Sequence, residues 1–293
     1  MIEARSVEQC RAARSTMGEV AFVPTMGALH EGHLELIREA RGLADRVVVS
    51  IFVNPTQFAP HEDLDRYPRP IEEDLRRCRE LGVDLVFRPC VEEIYPPDGQ
   101  AVRVEVPELG GILEGAHRPQ FFGGVCGVVA KLFNIVEPNA AVFGMKDYQQ
   151  LRVVEAMASG LNFAVRIVPV ATVREPDGLA MSSRNVYLEG EQRERALALS
   201  RALAGARRMI EEGAIDPEEV EGFMRHELEV HELAVDYAVV RDAWTLQPVD
   251  MIGPADRAVV CLIAAWVGAV RLIDNVLVGG AGSEGVGATV SQA

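Results

Sequence analysis

Residues 23–33 read Val23-Pro24-Thr25-Met26-Gly27-Ala28-Leu29-His30-Glu31-Gly32-His33 and join a predicted strand to a predicted helix. The apolar run ends in proline and glycine, and two histidines follow where the helix begins. A helix N-terminus presents unpaired N–H groups and about half a positive charge, so it binds phosphate readily. His30 and His33 are three residues apart and share one face of the first turn. The pattern indicates ATP chemistry at the α-phosphate.

Strands and helices alternate along the chain on both sides of this stretch. Strands are predicted over 21–23 and 47–53, with a helix over 34–43 between them. The same alternation predicts helices over 71–81, 122–136 and 148–159, and strands over 83–87, 141–143 and 165–170. A nearly continuous β-branched run such as 47–53 is typical of a parallel strand covered on both faces. The sequence therefore predicts an α/β fold with a doubly wound parallel sheet, which binds ligands at the carboxyl ends of its strands.

The pattern changes after Thr172. A polar loop over 174–185 precedes predicted helices over 191–212 and 217–230 and predicted strands over 235–240, 258–264 and 270–278. These elements predict a second, smaller α+β domain. We therefore expect one domain over residues 1–172, a C-terminal domain over 173–279, and a disordered tail over 280–293 that is rich in Gly, Ser and Ala.

Composition and charge narrow the function classes. The chain has 293 residues, of which 48% are hydrophobic and 25% charged, as in ordinary globular proteins. Its formal net charge of -15 argues against nucleic-acid binding, which depends on neutralising phosphates. An anionic substrate therefore needs a pocket that concentrates positive charge locally.

The five cysteines are scattered and contain no Cys-x-x-Cys pair, which argues against a disulfide framework or a zinc knuckle and favours a reducing cytoplasm. Residues 1–17 lack the apolar segment of a secretory signal. The longest apolar run, 259–270, is too short to span a membrane, and we interpret it as two buried strands around a turn.

A second candidate segment, Asn54-Pro55-Thr56-Gln57-Phe58, follows the strand at 47–53. Neutral amides at the carboxyl end of a strand bind hydroxyls and carboxylates without adding charge. An ordinary Asn-Pro turn is the alternative. Its position beside the histidine pair favours a substrate site that includes Asn54 and Gln57.

A third segment, Gly144-Met145-Lys146-Asp147-Tyr148-Gln149-Gln150, again lies between a strand and a helix. Lys146 is suited to neutralise phosphate oxygens, Asp147 to cap the helix, and Gln150 to lie on the same side as Asp147. The alternative is a solvated loop lysine, but the acidic composition gives this cation more weight.

A fourth segment, Gly178-Leu179-Ala180-Met181-Ser182-Ser183-Arg184-Asn185, supplies two hydroxyls and a guanidinium for the β- and γ-phosphates. We expect Gly178 to act as a hinge for closure. The alternative is a polar interdomain linker with a helix cap.

Two smaller signals remain open. Glu72, Glu73 and Asp74 are candidates for Mg²⁺, although carboxylates in the first turn of a helix more often interact with the helix dipole. Arg118 either meets a carboxylate or is solvated.

These ordered motifs closely resemble the pantothenate synthetase family, whose broader relatives are the nucleotidylyltransferase-like enzymes. The resemblance covers residues from Val23 to about Val278. It rests on Pro24-Thr25-Met26-Gly27, His30-x-Gly-His33, Phe52-Val53-Asn54-Pro55, Lys146-Asp147-Tyr148-Gln149-Gln150, Asp177-Gly178-Leu179-Ala180-Met181-Ser182-Ser183-Arg184-Asn185 and Arg271-Leu272-Ile273-Asp274-Asn275. It implies a Rossmann-like N-terminal domain, a smaller C-terminal domain that acts as a lid, and a homodimer.

The implied reaction is the ATP-dependent condensation of (R)-pantoate with β-alanine to give pantothenate, AMP and pyrophosphate. Pantoate attacks the α-phosphorus to form a pantoyl-adenylate, and the amine of β-alanine then expels AMP. The implied catalytic residues are His33 as proton donor, His30, Lys146 and Arg184, and Mg²⁺ accompanies the nucleotide. The implied ATP site comprises Met26, Gly27, Ala28, Leu29, His30, Glu31, Gly32, His33, Gly144, Met145, Lys146, Asp147, Val173, Met181, Ser182, Ser183 and Arg184. Gln57 and Gln150 are implied to hold pantoate, and Gln57 also to meet β-alanine.

Three positions depart from the family pattern. Met145 replaces an acidic residue, Phe121 a histidine and Gly127 a threonine, and the last two lie nearer the expected pantoate side.

We weigh three competing functions. A dinucleotide-forming adenylyltransferase needs a cationic pocket for a second phosphate, a tRNA-synthetase-like fragment needs a basic surface, and a non-catalytic nucleotide sensor is excluded only by turnover.

Overall fold

The computed structural model describes residues 1–60, 62–253 and 257–279, and the chain divides into two units between Val170 and Ala171. The predicted tail over 280–293 lies outside the described residues. The expected domain boundary at 172/173 stays a prediction.

Six parallel strands form the centre of the first unit. They are β1 (Ile2–Ala4), β2 (Val20–Thr25), β3 (Arg46–Ile51), β4 (Leu85–Phe87), β5 (Ala140–Gly144) and β6 (Arg166–Val170), in the order β1-β4-β3-β2-β5-β6. The helices of this unit are α1 (Val7–Arg14), α2 (Glu31–Leu43), α3 (Ile71–Glu80), α4 (Val91–Ile94), α5 (Pro107–Gly110), α6 (Glu114–His117), α7 (Phe121–Val136) and α8 (Tyr148–Gly160). The strand order runs outward from β2 through β3 on one side and through β5 on the other, so the direction of winding reverses beside β2.

Both faces of this sheet are covered. Phe22 and Val48 pack into one core with residues of α1, α7 and α8. Their neighbours Ala21, Val23 and Val47 pack into a second core with residues of α2 and α3. Since alternate residues of a strand point to opposite faces, burial on both sides explains the unbroken apolar runs. The predicted doubly wound α/β sheet is confirmed.

The second unit is a smaller α+β structure, as expected. Strands β7 (Ala234–Asp242), β8 (Val259–Val267) and β9 (Val270–Val278) form an antiparallel sheet, and helices α9 (Glu191–Glu211) and α10 (Pro217–Val230) share its core. The helices approach closely at Gly205, where a Cβ would lie 2.3 Å from the Phe223 ring. Both tryptophans of the chain belong to this unit, and Trp244 and Trp266 are 56% and 38% exposed.

Some element boundaries differ from the predictions. Strand β8 continues past the predicted end at 264 to Val267, and residues 268–269 form the turn before β9. β1 and α1 were not predicted, because a three-residue strand and an eight-residue polar helix leave little periodicity. Among the described residues, no helix is long and apolar enough to cross a bilayer.

Candidate active site

The three candidate segments of the first unit follow three neighbouring strands. Residues 26–33 follow β2, residues 54–57 follow β3, and residues 145–147 follow β5. In an open α/β sheet, ligands bind outside the carboxyl ends of the strands where the winding reverses. The reversal here lies beside β2, so the fold brings these segments to that edge.

Residues 25–33, called here the histidine loop, place two imidazoles at the start of α2. His30 precedes the helix in an extended conformation, and the ring centroids of His30 and His33 are 4.1 Å apart. The backbone N–H of His30 donates to Nδ1 of His33 over 3.3 Å. Because Nδ1 accepts this bond, a neutral His33 carries its proton on Nε2.

The surroundings of His33 favour that neutral form. Burial, followed by the charges of His30 and Lys146, lowers the pKa of His33 from 6.5 to about 3. His33 as a whole residue is half-buried. Near neutral pH, His33 therefore offers an uncharged N–H donor, and Lys146 lies near enough for its charge to act on the ring.

The backbone donors of the histidine loop fall into two groups. The N–H groups of Ala28 and Leu29 donate to the buried Asp74 carboxylate over 2.9 and 2.8 Å. Glu31 and Gly32 open α2, so their N–H groups have no partner within the helix. Asp74 thus engages the N–H groups of Ala28 and Leu29, whereas those of Glu31 and Gly32 stand at the helix N-terminus.

Asn54 and Gln57 form a buried pair after β3. Both amide hydrogens of Asn54 are used inside the protein, one on Gln57 Oε1 at 2.8 Å and one on the Gly124 carbonyl at 3.1 Å. Its oxygen accepts from the Tyr95 hydroxyl at 2.9 Å. Asn54, which is 1% exposed, thus orients Gln57, whose amide hydrogens are left to serve an acceptor.

Two neighbours of this pair carry signals that the sequence analysis missed or left open. A Cβ on Gly124 would lie 2.4 Å from the Thr56 carbonyl oxygen, so only glycine lets α7 approach the turn. Arg118 donates to the Gln57 carbonyl over 3.1 Å and pairs through two bonds with Glu62. Its guanidinium lies 3.9 Å from the centroid of the Phe121 ring. Arg118 therefore meets a protein carboxylate.

The segment after β5 contains one correction. Asp147 occupies the position before α8, but its side chain makes no capping hydrogen bond; it lies 3.9 Å from the Lys146 ammonium. Gln149 is buried and bonds the Leu109 and Ile112 carbonyls. Gln150 is partly exposed in the first turn of α8, as a ligand-binding side chain requires.

Residues 173–185 of the second unit, called here the serine loop, form a hydrogen-bonded hairpin. Arg174 bridges to Ala180, and Met181 N–H donates to the Val173 carbonyl over 3.0 Å. Gly178 has φ +95° at the turn, so the turn geometry itself accounts for this glycine. The Ser182 hydroxyl accepts from the Arg184 N–H and caps a short 3-10 helix, which is the cap that the alternative interpretation expected.

Side-chain pairs anchor the serine loop. Arg174 makes two bonds of 2.7 and 3.0 Å with Asp274 of β9. The Asn185 amide donates to Glu175 and to the Ala180 carbonyl. Arg193 of α9 pairs with Glu175 and Asp177. Ser183 and Arg184 sit in the short helix that this framework carries.

Comparison with known proteins places the chain in one family. A family model described as pantoate-beta-alanine ligase matches residues 2–277. The chain belongs to this ligase family. A pantothenate synthetase of Thermotoga petrophila is 50% identical over 273 residues, which cover 93% of this chain and 95% of the relative.

Solved structures of the ligase family agree with this assignment. Pantothenate synthetase from Thermus thermophilus superposes with a TM-score of 0.89 at 46% identity, over 94% of this chain and 99% of that one. The Francisella tularensis ligase, complexed with beta-gamma ATP and beta-alanine, gives a TM-score of 0.79 at 34% identity, over 94% and 97% of the two chains. The ligase assignment from the sequence is confirmed.

The carboxylates of α3 do not form the magnesium site considered for this ligase. Both oxygens of Asp74 accept backbone N–H groups, and Glu73 pairs with Arg76 and Arg77. Over the described ranges, no three His, Cys, Asp or Glu side chains converge on a point that suits a metal. Glu73 and Asp74 therefore have protein partners in place of a resident magnesium ion.

Asp74 and Asp274 each hold a loop of the candidate site, and the sequence did not predict this role for either residue. Asp74 was attributed to a helix dipole or to Mg²⁺, and Asp274 only supported the resemblance. Their partners are 45 and 100 residues away in the chain. A local pattern carries no signal for such pairings.

Proposed function

We propose that this chain condenses pantoate with β-alanine at the expense of ATP, through a pantoyl-adenylate, and releases AMP and pyrophosphate. The observation that carries the proposal is the His30–His33 pair at the start of α2, with ring centroids 4.1 Å apart, beside the strand where the winding of the sheet reverses. The charge of Lys146 acts on the His33 ring and lowers its pKa. A helix N-terminus, an N–H donor and a cation at one edge suit the α-phosphate of a nucleotide.

The proposed role of His33 is to donate a hydrogen bond from Nε2 to a phosphate oxygen. A neutral imidazole with its proton on Nε2 adds no charge, and the charge of Lys146 offsets the negative charge that builds up when pantoate attacks phosphorus. This proposal makes His33 a hydrogen-bond donor, whereas the resemblance implied a proton donor at the same position. His30 shares the site and fixes the His33 ring through its backbone N–H.

Gln57 and Gln150 are proposed to hold pantoate. Asn54 occupies the oxygen of Gln57, so Gln57 presents amide hydrogens, which suit a carboxylate or hydroxyl oxygen. Asn54 is accordingly proposed as the residue that orients Gln57 rather than as a direct ligand. Binding by amides suits a hydroxy acid without a second phosphate, and this argues against the dinucleotide-forming alternative.

Binding of ATP phosphates by Val173, Met181, Ser182, Ser183 and Arg184 stays a proposal from the sequence. Because Glu73 and Asp74 are engaged elsewhere, Mg²⁺ is proposed to enter with ATP as part of the substrate. We also propose a homodimer, on the resemblance alone, and a reducing cytoplasmic location, which is consistent with five free cysteines of which four are buried.

The test follows the release of pyrophosphate and AMP from ATP and Mg²⁺ with pantoate, in the presence and absence of β-alanine. Pyrophosphate release with pantoate alone and AMP turnover only with β-alanine are expected for the two-step ligase. Absence of both products would refute the proposal and leave a nucleotide sensor or a different acid, and the search would move to the side of Phe121 and Gly127.

A further inference from the structure

Helix α3 contacts the histidine loop through a side chain that has no role in the chemistry above. Asp74 is completely buried. Its Oδ2 accepts from the Ala28 N–H at 2.9 Å and its Oδ1 from the Leu29 N–H at 2.8 Å. Each carboxylate oxygen thus holds one backbone donor of the segment that leads into His30.

Arg77, one turn further along α3, holds the same segment from the other side of the peptide. Its guanidinium donates to the Leu29 carbonyl, and Glu73 accepts a second bond from Arg77 at 2.8 Å. The N–H and the carbonyl of Leu29 are therefore both fixed to α3.

The segment that α3 holds has an unfavourable backbone conformation. Gly27 has φ +82° and Ala28 has φ +51°, so two consecutive residues are left-handed, and the second is not glycine. A Cβ on Gly27 would lie 2.9 Å from Ile51 Cγ2 and 3.0 Å from Asp74 Oδ2. Such a conformation persists only when its surroundings determine it.

We propose that Asp74 and Arg77 are positioning residues for ATP, which hold residues 27–29 so that His30 and the N-terminus of α2 keep their place. The inference rests on the proposed binding of ATP by the histidine loop. The simpler explanation is that Asp74 only stabilises the N-terminus of its own helix. Against it, both Asp74 oxygens bond to another segment, and Arg77 bonds to the same residue, Leu29, from the same helix.

The test measures the dissociation constant of α,β-methylene-ATP by calorimetry, together with the KM values for ATP and β-alanine. We expect Asp74→Asn to weaken nucleotide binding at least about tenfold, since one backbone N–H then faces an amide N–H₂. We expect Arg77→Met to weaken it about three- to tenfold. The KM for β-alanine should stay within about twofold of the wild-type value, because the two residues position only the ATP-binding segment. A general structural defect would instead change the KM values for both substrates.

Two matched controls distinguish positioning from general destabilisation. Arg76→Met removes the neighbouring arginine of α3, which pairs only with Glu73 and Glu80 among the contacts described. Asp84→Asn removes a carboxylate that accepts the Val47 N–H over 2.9 Å in the same unit. Both controls are expected to bind the nucleotide as the wild type does.

Nucleotide affinity within about twofold of wild type in folded Asp74→Asn and Arg77→Met would overturn the inference. An equal loss in the controls would also overturn it. If Asp74→Asn does not fold, the comparison of Arg77→Met with Arg76→Met decides alone. The binding arm needs no turnover, so a wild type that binds nucleotide without forming pyrophosphate would refute the proposed function and leave this inference standing.

Discussion

The histidine loop and the serine loop are both proposed to bind nucleotide phosphates, yet the protein holds them in different ways. The histidine loop is fixed through its backbone, by two N–H bonds to one buried carboxylate. The serine loop is fixed through ion pairs, with Arg174 on Asp274 and Arg193 on Glu175 and Asp177. Arg174 and Arg193 are both about one-third exposed.

The difference affects how each loop responds to its environment. A buried carboxylate bonded to backbone amides fixes φ and ψ and is shielded from salt. Partly exposed ion pairs fix side chains, contribute less, and weaken as ionic strength rises. We therefore expect the histidine loop to keep its conformation under conditions that release the serine loop.

The largest effect is expected at His33 of the histidine loop. An asparagine there keeps an acceptor near the position of Nδ1 for the His30 N–H but lacks a donor at the position of Nε2. His33→Asn should therefore stay folded and lose about 10²- to 10³-fold in kcat. Steady-state kinetics and thermal unfolding measure the two properties.

His33→Gln is the complementary variant, because its amide nitrogen reaches the position of Nε2 but its oxygen does not replace Nδ1. It should lose more stability and less turnover than His33→Asn. Near-normal turnover in His33→Asn would remove the Nε2 donor from the mechanism.

The next effect tests the anchor of the serine loop. Asp274→Asn leaves Arg174 without its charged partner, and we expect a loss of about 2 kcal/mol in the free energy of unfolding and about tenfold in turnover. Urea denaturation and kinetics measure both. Asp236→Asn is the control, since Asp236 pairs with Arg271 in the same unit; it should lower stability with little change in turnover. Wild-type turnover in Asp274→Asn would show that this pair does not hold the loop.

On acidification, the two loops should lose their contributions to stability in different pH ranges. The folded pKa of His33, about 3, lies below its ordinary 6.5, so the unfolded chain binds a proton between these values and stability falls as pH falls below 6.5. Hydrogen bonds from Arg193 lower the pKa values of Glu175 and Asp177 below 4.5 and 3.8, so their contribution is lost only at lower pH.

The measurement compares the unfolding free energies of wild type and His33→Asn. Between about pH 7 and about pH 5.5, wild type should lose about 1 kcal/mol more than the variant. Parallel pH curves for the two proteins would contradict the assigned state of His33.

The smallest effect is expected at Arg193. Arg193→Met removes the partly exposed pairs with Glu175 and Asp177, and we expect a loss of about 0.5 to 1 kcal/mol at low salt. At roughly 0.5 M NaCl the difference from wild type should shrink, because screening already weakens these pairs. A difference that is independent of salt would mean that Arg193 stabilises the loop by packing.

The sequence was sufficient where the fold depends on local patterns. Apolar runs such as 47–53 predicted parallel strands. Segments of helical periodicity between these runs, such as 34–43, predicted the covering helices. The proline, glycine and histidine pattern of 24–33 predicted a turn and a helix start that bring both imidazoles to one face. Each of these inferences uses residues within a few turns of one another.

It was insufficient where a side chain has a distant backbone partner. Asp74 lies in the first turn of an amphipathic helix, and nothing in that turn indicates that both oxygens bind Ala28 and Leu29. The contact of Asn54 with Gly124 depends on how α7 packs against the turn after β3, so the residues around Asn54 do not indicate it. Asp147 stands where a cap is expected, yet its side chain makes no capping bond.

Because both tryptophans lie in the second unit, fluorescence and circular dichroism give different information about the unfolding of the intact chain. Trp244 and Trp266 belong to the second unit, so indole fluorescence probes that unit, whereas far-ultraviolet circular dichroism averages over both. A difference between the two melting midpoints would reveal sequential unfolding without any label. A change in this emission in a variant of the serine loop would show that the substitution also alters the antiparallel sheet of the second unit.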